Sequence, residues 1–205
     1  MYFVPIRIFK KKGKVMGYYD YKPEPNVWSD KVIKWIADII TVALFAFFIV
    51  SYLGDRSEVI GSSMAPGLES SQVVLIDKLS YELREPDRFD VIIYRSKTGD
   101  QKCYVKRIIA LPGETVQIID NQIYITSREG EKYCLEDKYC QVEKFESGYA
   151  DEPVTVGSNE YFVLGDNRNL SEDSRFSYVG NIKKSDILGK AWLIASPFGD
   201  IGFVK

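Results

Sequence analysis

Histidine is missing from all 205 residues. Without an imidazole the chain cannot assemble a Ser-His-Asp triad, a Cys-His pair or an HExxH zinc site. Acid-base chemistry must then fall to Lys, Asp, Glu, Tyr or Cys. Cysteine is scarce: Cys103, Cys134 and Cys140 are too few for a disulfide-dense scaffold and lack the paired CxxC spacing of structural zinc. Neither a metal nor an organic cofactor is expected. A strong charge of either sign is also lacking; the formal net charge of -2 offers no overall basic face for a phosphate backbone, so nucleic acid is not an expected partner.

Long apolar runs are confined to one place. From Ile36 to Leu53 the chain reads IADIITVALFAFFIVSYL, with Asp38 the single charge. At about 1.5 Å per residue this nearly crosses a hydrocarbon layer of about 30 Å, and Trp35 and Tyr52 sit where aromatic rings favour the interface. A cleaved leader is disfavoured, because some thirty residues precede the run and FFIVSYLGD offers no small-x-small pair. The expectation is an uncleaved anchor over 32–54. The excess of lysine and arginine before it, Arg7, Lys10, Lys11, Lys12 and Lys14 among them, predicts a cytoplasmic segment over 1–31 and an extracytoplasmic domain over 55–205. The Lys10 to Lys14 cluster suits either a solvated face or anionic lipid headgroups.

Beyond the anchor come short runs of β-branched and aromatic residues bounded by turn formers: QVVLID (72–77), FDVIIYR (89–95), CYVKRIIAL (103–111), ETVQIID (114–120), QIYIT (122–126), EYFVLG (160–165) and AWLIAS (191–196). This spacing predicts a mostly β domain of antiparallel sheet, a partly closed barrel or sandwich. Cys134 and Cys140 bracket a polar insertion, where an oxidising compartment permits a disulfide and free thiols are the alternative.

A serine nucleophile in such a chain needs a neutral lysine. At an ordinary pKa of about 10.4 only about one lysine in 2,500 is unprotonated at pH 7, whereas a drop to about 8 frees roughly a tenth. The useful lysine should therefore lie inside an apolar strand. Lys106, flanked by Tyr104, Val105, Ile108 and Ile109, is the candidate. Strand alternation places Tyr104 and Lys106 on one face and Val105 and Arg107 on the other, so Lys106 can point inward while Arg107 is expected to reach solvent; an ordinary edge-strand lysine is the alternative. The polar loop GDNRNLSEDSRF (165–176), following an apolar strand, suits either a plain turn or a functional loop.

Together, and in this order behind a single anchor, GSSMAPGL (61–68), RFDVIIYR (88–95), YVKRIIALPGE (104–114) and GDNRNLSEDSR (165–175) resemble the type I signal peptidases. These are membrane-bound serine proteases that remove signal peptides from exported preproteins. The resemblance implies Ser63, the serine before methionine, as nucleophile and Lys106 as general base. It implies that Ser171 hydrogen-bonds the lysine, that Asp173 and Arg175 pair beside it, and that Asp166 has a structural role. The oxyanion would be held by the Ser63 backbone N–H, with Gly61 at the position from which some members add a serine hydroxyl. Ile60, Met64, Leu68 and Tyr104 would wall small apolar pockets for substrate residues -1 and -3. Preproteins, membrane lipid and the secretion machinery are the partners implied. Gly67 departs from the pattern, which usually has threonine there, and a glycine is expected to loosen the turn. The competing reading is a non-catalytic signal-peptidase-like assembly factor for pili or surface proteins, which loss of the serine or lysine would favour; both are present.

Overall fold

The computed structural model describes residues 27–96, 102–140 and 144–204. Most of the expected cytoplasmic segment, with the Lys10 to Lys14 cluster, lies outside the described residues. The first element is a helix, α1 (Val27–Leu53), whose Asp30–Tyr52 stretch has mean hydropathy 2.2 and is long and apolar enough to cross a membrane. Its large side chains, Ile36, Phe45 and Phe47 among them, are exposed.

The remaining elements are β1 (Asp55–Glu58), β2 (Val73–Asp77), a short helix α2 (Leu79–Leu83), β3 (Val91–Arg95), β4 (Cys103–Ala110), β5 (Thr115–Ile119), β6 (Gln122–Thr126), β7 (Lys132–Cys134), β8 (Val154–Thr155), β9 (Glu160–Leu164), β10 (Ile182–Lys183), β11 (Ile187–Ser196) and β12 (Gly202–Phe203). Every strand pairing is antiparallel. One sheet runs β1-β2-β11-β3-β4-β9-β10, with β12 also on β11; the second runs β7-β6-β5-β8. The expected mostly β architecture is present, and the larger sheet stays open, with β1 and β10 at its ends.

The central strands are buried on both faces, which is why they read as unbroken apolar runs rather than alternating ones. On β3, Val91 and Ile93 enter one core cluster with Met64, Leu68 and Val105; Ile92 and Tyr94 enter a second with Ile108, Tyr161 and Val163. A third cluster joins the end of β4, Ile109 and Ala110, to β5, β6 and β9 through Val116, Ile118, Ile125 and Phe162. Both sides of β4 are thus closed where Lys106 and Arg107 lie.

That closure corrects one expectation. Arg107 is only 1% exposed. Its guanidinium donates from Nε and Nη2 to the two carboxylate oxygens of Asp166, at 2.8 and 2.7 Å, and the ring of Tyr139 lies 3.6 Å away. The alternation was read correctly, but the far face is core rather than solvent. A buried guanidinium persists there because a bidentate carboxylate satisfies it. Of the two alternatives for Cys134, exposed at the end of β7, and Cys140, the structure shows no bridge between them.

Candidate active site

Ser63 stands in a turn that begins after Val59, itself tied by hydrogen bonds to Ser71 and Gln72. The turn is fixed by its apolar neighbours: Met64 and Leu68 are 0% and 1% exposed, and the Leu68 N–H donates to the Met64 carbonyl at 2.8 Å. Burying two such side chains is worth about 1.5–3 kcal/mol each, enough to hold the intervening backbone in place. Gly61 adopts φ +86°, a left-handed conformation that favours glycine, and its N–H donates to the Ser70 hydroxyl. Ser70 is thus a positioning contact that the sequence did not reveal.

On β4, Lys106 lies opposite Ile92 of β3 and is 3% exposed. Its ammonium nitrogen and the Ser63 hydroxyl are 2.7 Å apart and hydrogen-bonded. Burial lowers the lysine pKa from 10.5 to about 8; Asp173, Glu172 and Asp166 pull it back up and Arg175 pushes it down. The sequence analysis looked for a lysine inside an apolar strand, and Lys106 is buried there.

The late loop builds the wall. Asp173, wholly buried, accepts from the Gly165 N–H at 3.0 Å and from Nε and Nη2 of Arg175 at 2.8 and 2.9 Å. Arg175 also donates to the carbonyls of Glu146 and Arg168. Arg168, nearly inaccessible, bonds the Gly165 carbonyl and pairs with Asp137. The Asn167 N–H donates to the Ser63 carbonyl, coupling the late loop directly to the serine turn. A Cβ on Gly165 would lie 2.2 Å from Ser171 Oγ and 2.4 Å from the Ser63 carbonyl oxygen, so only glycine fits between them.

Three expectations for the site change. Ser171 is buried beside Gly165, but the expected hydrogen bond to Lys106 is not made: its hydroxyl has no partner among the described residues, and the lysine nitrogen bonds Ser63. Met64 and Leu68 are core residues, which leaves Ile60, 84% exposed, and the half-buried Tyr104 as accessible members of the expected substrate set. Gly67 does not loosen its turn: a Cβ there would come 2.7 Å from Asp166 Oδ2, so its missing side chain admits the carboxylate that clamps Arg107. Arg168, Asp137 and Tyr139 were missed, since an insertion that packs its ring and carboxylate against buried arginines has no local signature. A cavity of about 990 Å³ is bordered by Lys78, Glu82, Glu160, Lys183 and Lys184 and by none of the site residues above.

A serine hydroxyl paired with a buried, readily deprotonated lysine, in a chain without histidine, is the arrangement of a serine hydrolase that dispenses with imidazole. Comparison with known proteins gives the family. Residues 32–195 match the signal peptidase family, peptidase S26, and the chain belongs to it as a serine endopeptidase. It is 33% identical to signal peptidase I S of Bacillus subtilis (strain 168) over 180 residues, 86% of this chain and 96% of that one. It is 35% identical to signal peptidase I U of the same organism, over 83% of this chain and 90% of that one. Against the probable signal peptidase I-2 of Synechocystis sp. (strain ATCC 27184 / PCC 6803 / Kazusa) it is 28% identical over 89% of this chain and 79% of that one.

Proposed function

We propose that the chain removes signal peptides from exported preproteins by nucleophilic catalysis, with Ser63 as nucleophile and Lys106 as general base. The observation that carries this reading is the 2.7 Å contact between Lys106 Nζ and Ser63 Oγ at a lysine whose pKa lies near 8. Neutral Lys106 takes the proton from Ser63 Oγ as the oxygen attacks the scissile carbonyl carbon. The oxyanion is met by the Ser63 backbone N–H, with Gly61 supplying no side chain. The lysine ammonium then protonates the departing amine, the acyl-enzyme remains on Ser63, and a water deprotonated by the same lysine releases the signal peptide.

The substrate has an edge on which to lie. β9 pairs with β4 only from Arg107 onward, whereas β3 covers the other side of β4 from Cys103 to Arg107. The stretch Cys103–Lys106 is therefore open to a strand added by the substrate, which would place the scissile bond beside the dyad. Small residues at -1 and -3, alanine above all, are the expected selection. The apolar helix anchors the domain at the membrane, with the basic N-terminal segment in the cytoplasm and the catalytic domain outside, where cleavage sites emerge. Lipid and the secretion machinery are its surroundings in this reading.

The test is cleavage of a preprotein ending in Ala-x-Ala by the detergent-solubilised full chain, beside Ser63→Ala and Lys106→Met. Wild type cuts and both variants lose activity by at least about three orders of magnitude, the scale seen when a nucleophile or base is removed. A Lys106→Met variant that cuts as well as wild type refutes the assignment.

A further inference from the structure

On the Tyr104 side of β4 lies a much smaller cavity of about 100 Å³. Tyr94, Tyr104 and Tyr178 line it together with Glu172 and the apolar Val179 and Ile182. Tyr94 and Tyr104 face each other across the β3–β4 pairing, stacked with ring centroids 5.9 Å apart. Glu172 is the only charged residue in the lining and is itself exposed, immediately after Ser171. Aromatic faces carry negative quadrupole charge, and a carboxylate at their rim adds a full negative charge; the complement of both is a cation. With a water taking about 30 Å³, the cavity has room for the end of an alkylammonium or guanidinium chain and little more.

We propose that this cavity is a subsite for a basic side chain of the substrate, a lysine or arginine at position -2, held between the tyrosine rings and Glu172. The position follows from strand alternation and rests on the strand-addition reading of the substrate given above. Side chains on one strand alternate between faces. Val105 belongs to the core face shared with Met64 and Leu68, while Tyr104 belongs to the face of Tyr94 and Ile182. A -2 side chain turns toward the tyrosines when its neighbours -1 and -3 turn to the opposite face, and Tyr104 then serves -2 rather than the -1 and -3 pockets that the resemblance implied. Burial first and the negative field of Glu172 second oppose ionisation of Tyr178, so the Glu172 carboxylate is within electrostatic reach of a ring that lines this small space.

The experiment uses full-length protein in detergent and matched peptides with alanine at -1 and -3 and Lys, Gln or Glu at -2, with kcat/KM measured for each. For wild type the Lys peptide exceeds the Gln peptide by about fivefold, the scale of one exposed cation–π contact or ion pair, and the Glu peptide falls below both. The Lys-to-Gln ratio within each variant is the readout, because it cancels any general change in activity. Glu172→Gln and Tyr178→Ala each bring that ratio toward one, and Glu172→Lys inverts the preference between Lys and Glu peptides. Equal cleavage of the three peptides by wild type overturns the subsite and leaves the endopeptidase reading intact. A Glu172→Gln variant that loses activity with an unchanged ratio also overturns it, showing a structural role. If wild type cuts none of the peptides and no Ala-x-Ala preprotein, the function proposed above fails, and the subsite with it.

Discussion

Replacing Lys106 by methionine should abolish cleavage and at the same time stabilise the folded domain near neutrality. Burial depresses the lysine pKa from 10.5 to about 8. A shift of that size costs about 3 kcal/mol of folding stability at any pH where both states hold the proton, at about 1.4 kcal/mol per unit. The sign follows from proton counting: between about pH 8 and 10.5 the unfolded chain keeps a proton that the folded one has released, so stability climbs with pH through that window. Below pH 8 the cost is present in full. Methionine matches the volume of the lysine stem and carries no charge, but it forfeits the hydrogen bond to Ser63, worth about 1 kcal/mol. Lys106→Met should thus exceed wild type by about 2 kcal/mol at pH 7, with the difference closing to about zero near pH 10. Urea titration of the full chain in detergent, followed by the fluorescence of Trp192 on β11, measures the gap at both pH values. A variant no more stable than wild type at pH 7, or a gap that does not shrink with pH, would refute the buried cation as the source of catalytic proton affinity.

Two further outcomes follow from the same geometry. Because the neutral amine is the active form and its pKa is about 8, kcat/KM for a preprotein should rise about tenfold from pH 7 to pH 9 and then level off; a flat profile across that range contradicts Lys106 as base. Gly165→Ala sets a methyl 2.2 Å from Ser171 Oγ and 2.4 Å from the Ser63 carbonyl, forcing the serine turn and late loop apart. Destabilisation of about 1–3 kcal/mol is expected by urea titration, with a loss of about 100-fold in kcat, the scale of a nucleophile displaced by about 1 Å. Full activity in that variant would show that the two loops are not coupled at Gly165.

What the sequence disclosed depends on how local the determining physics is. Strands β2, β3, β4, β5, β6 and β9 were legible as apolar runs, and each lies within one or two residues of its expected place. The polar β1, with sequence DRSE, and the two- or three-residue β7, β8, β10 and β12 carry no periodicity of their own; they exist because a neighbouring strand offers a register. The dyad was legible because a lysine inside an apolar strand is locally anomalous. Arg107 was misread because alternation gives the face and not what covers it, and covering it takes Tyr139, more than thirty residues further along the chain. Met64 and Leu68 show the same limit in reverse: adjacency to the serine suggested a pocket, whereas their burial serves to fix the turn.

Burial sets how strong a base Lys106 is, and the arginine–aspartate pairs in the surrounding walls limit how far nearby carboxylates counter it. Arg107 with Asp166, Arg175 with Asp173 and Arg168 with Asp137 each place a cation against an anion, both largely inaccessible. A buried pair contributes little net stability, but a buried aspartate left alone beside a lysine would bind its proton tightly. Asp173 is the strongest of the charges raising the Lys106 pKa, and Arg175, which chelates it, is the one lowering it. With each carboxylate neutralised by its own guanidinium, burial is left as the dominant influence and the lysine releases its proton near pH 8. Gly67 belongs to this scheme, since the space its missing side chain leaves is where Asp166 approaches on its way to Arg107. A Cβ at that position would meet the carboxylate at 2.7 Å, so a threonine in its place requires Asp166 to shift against Arg107.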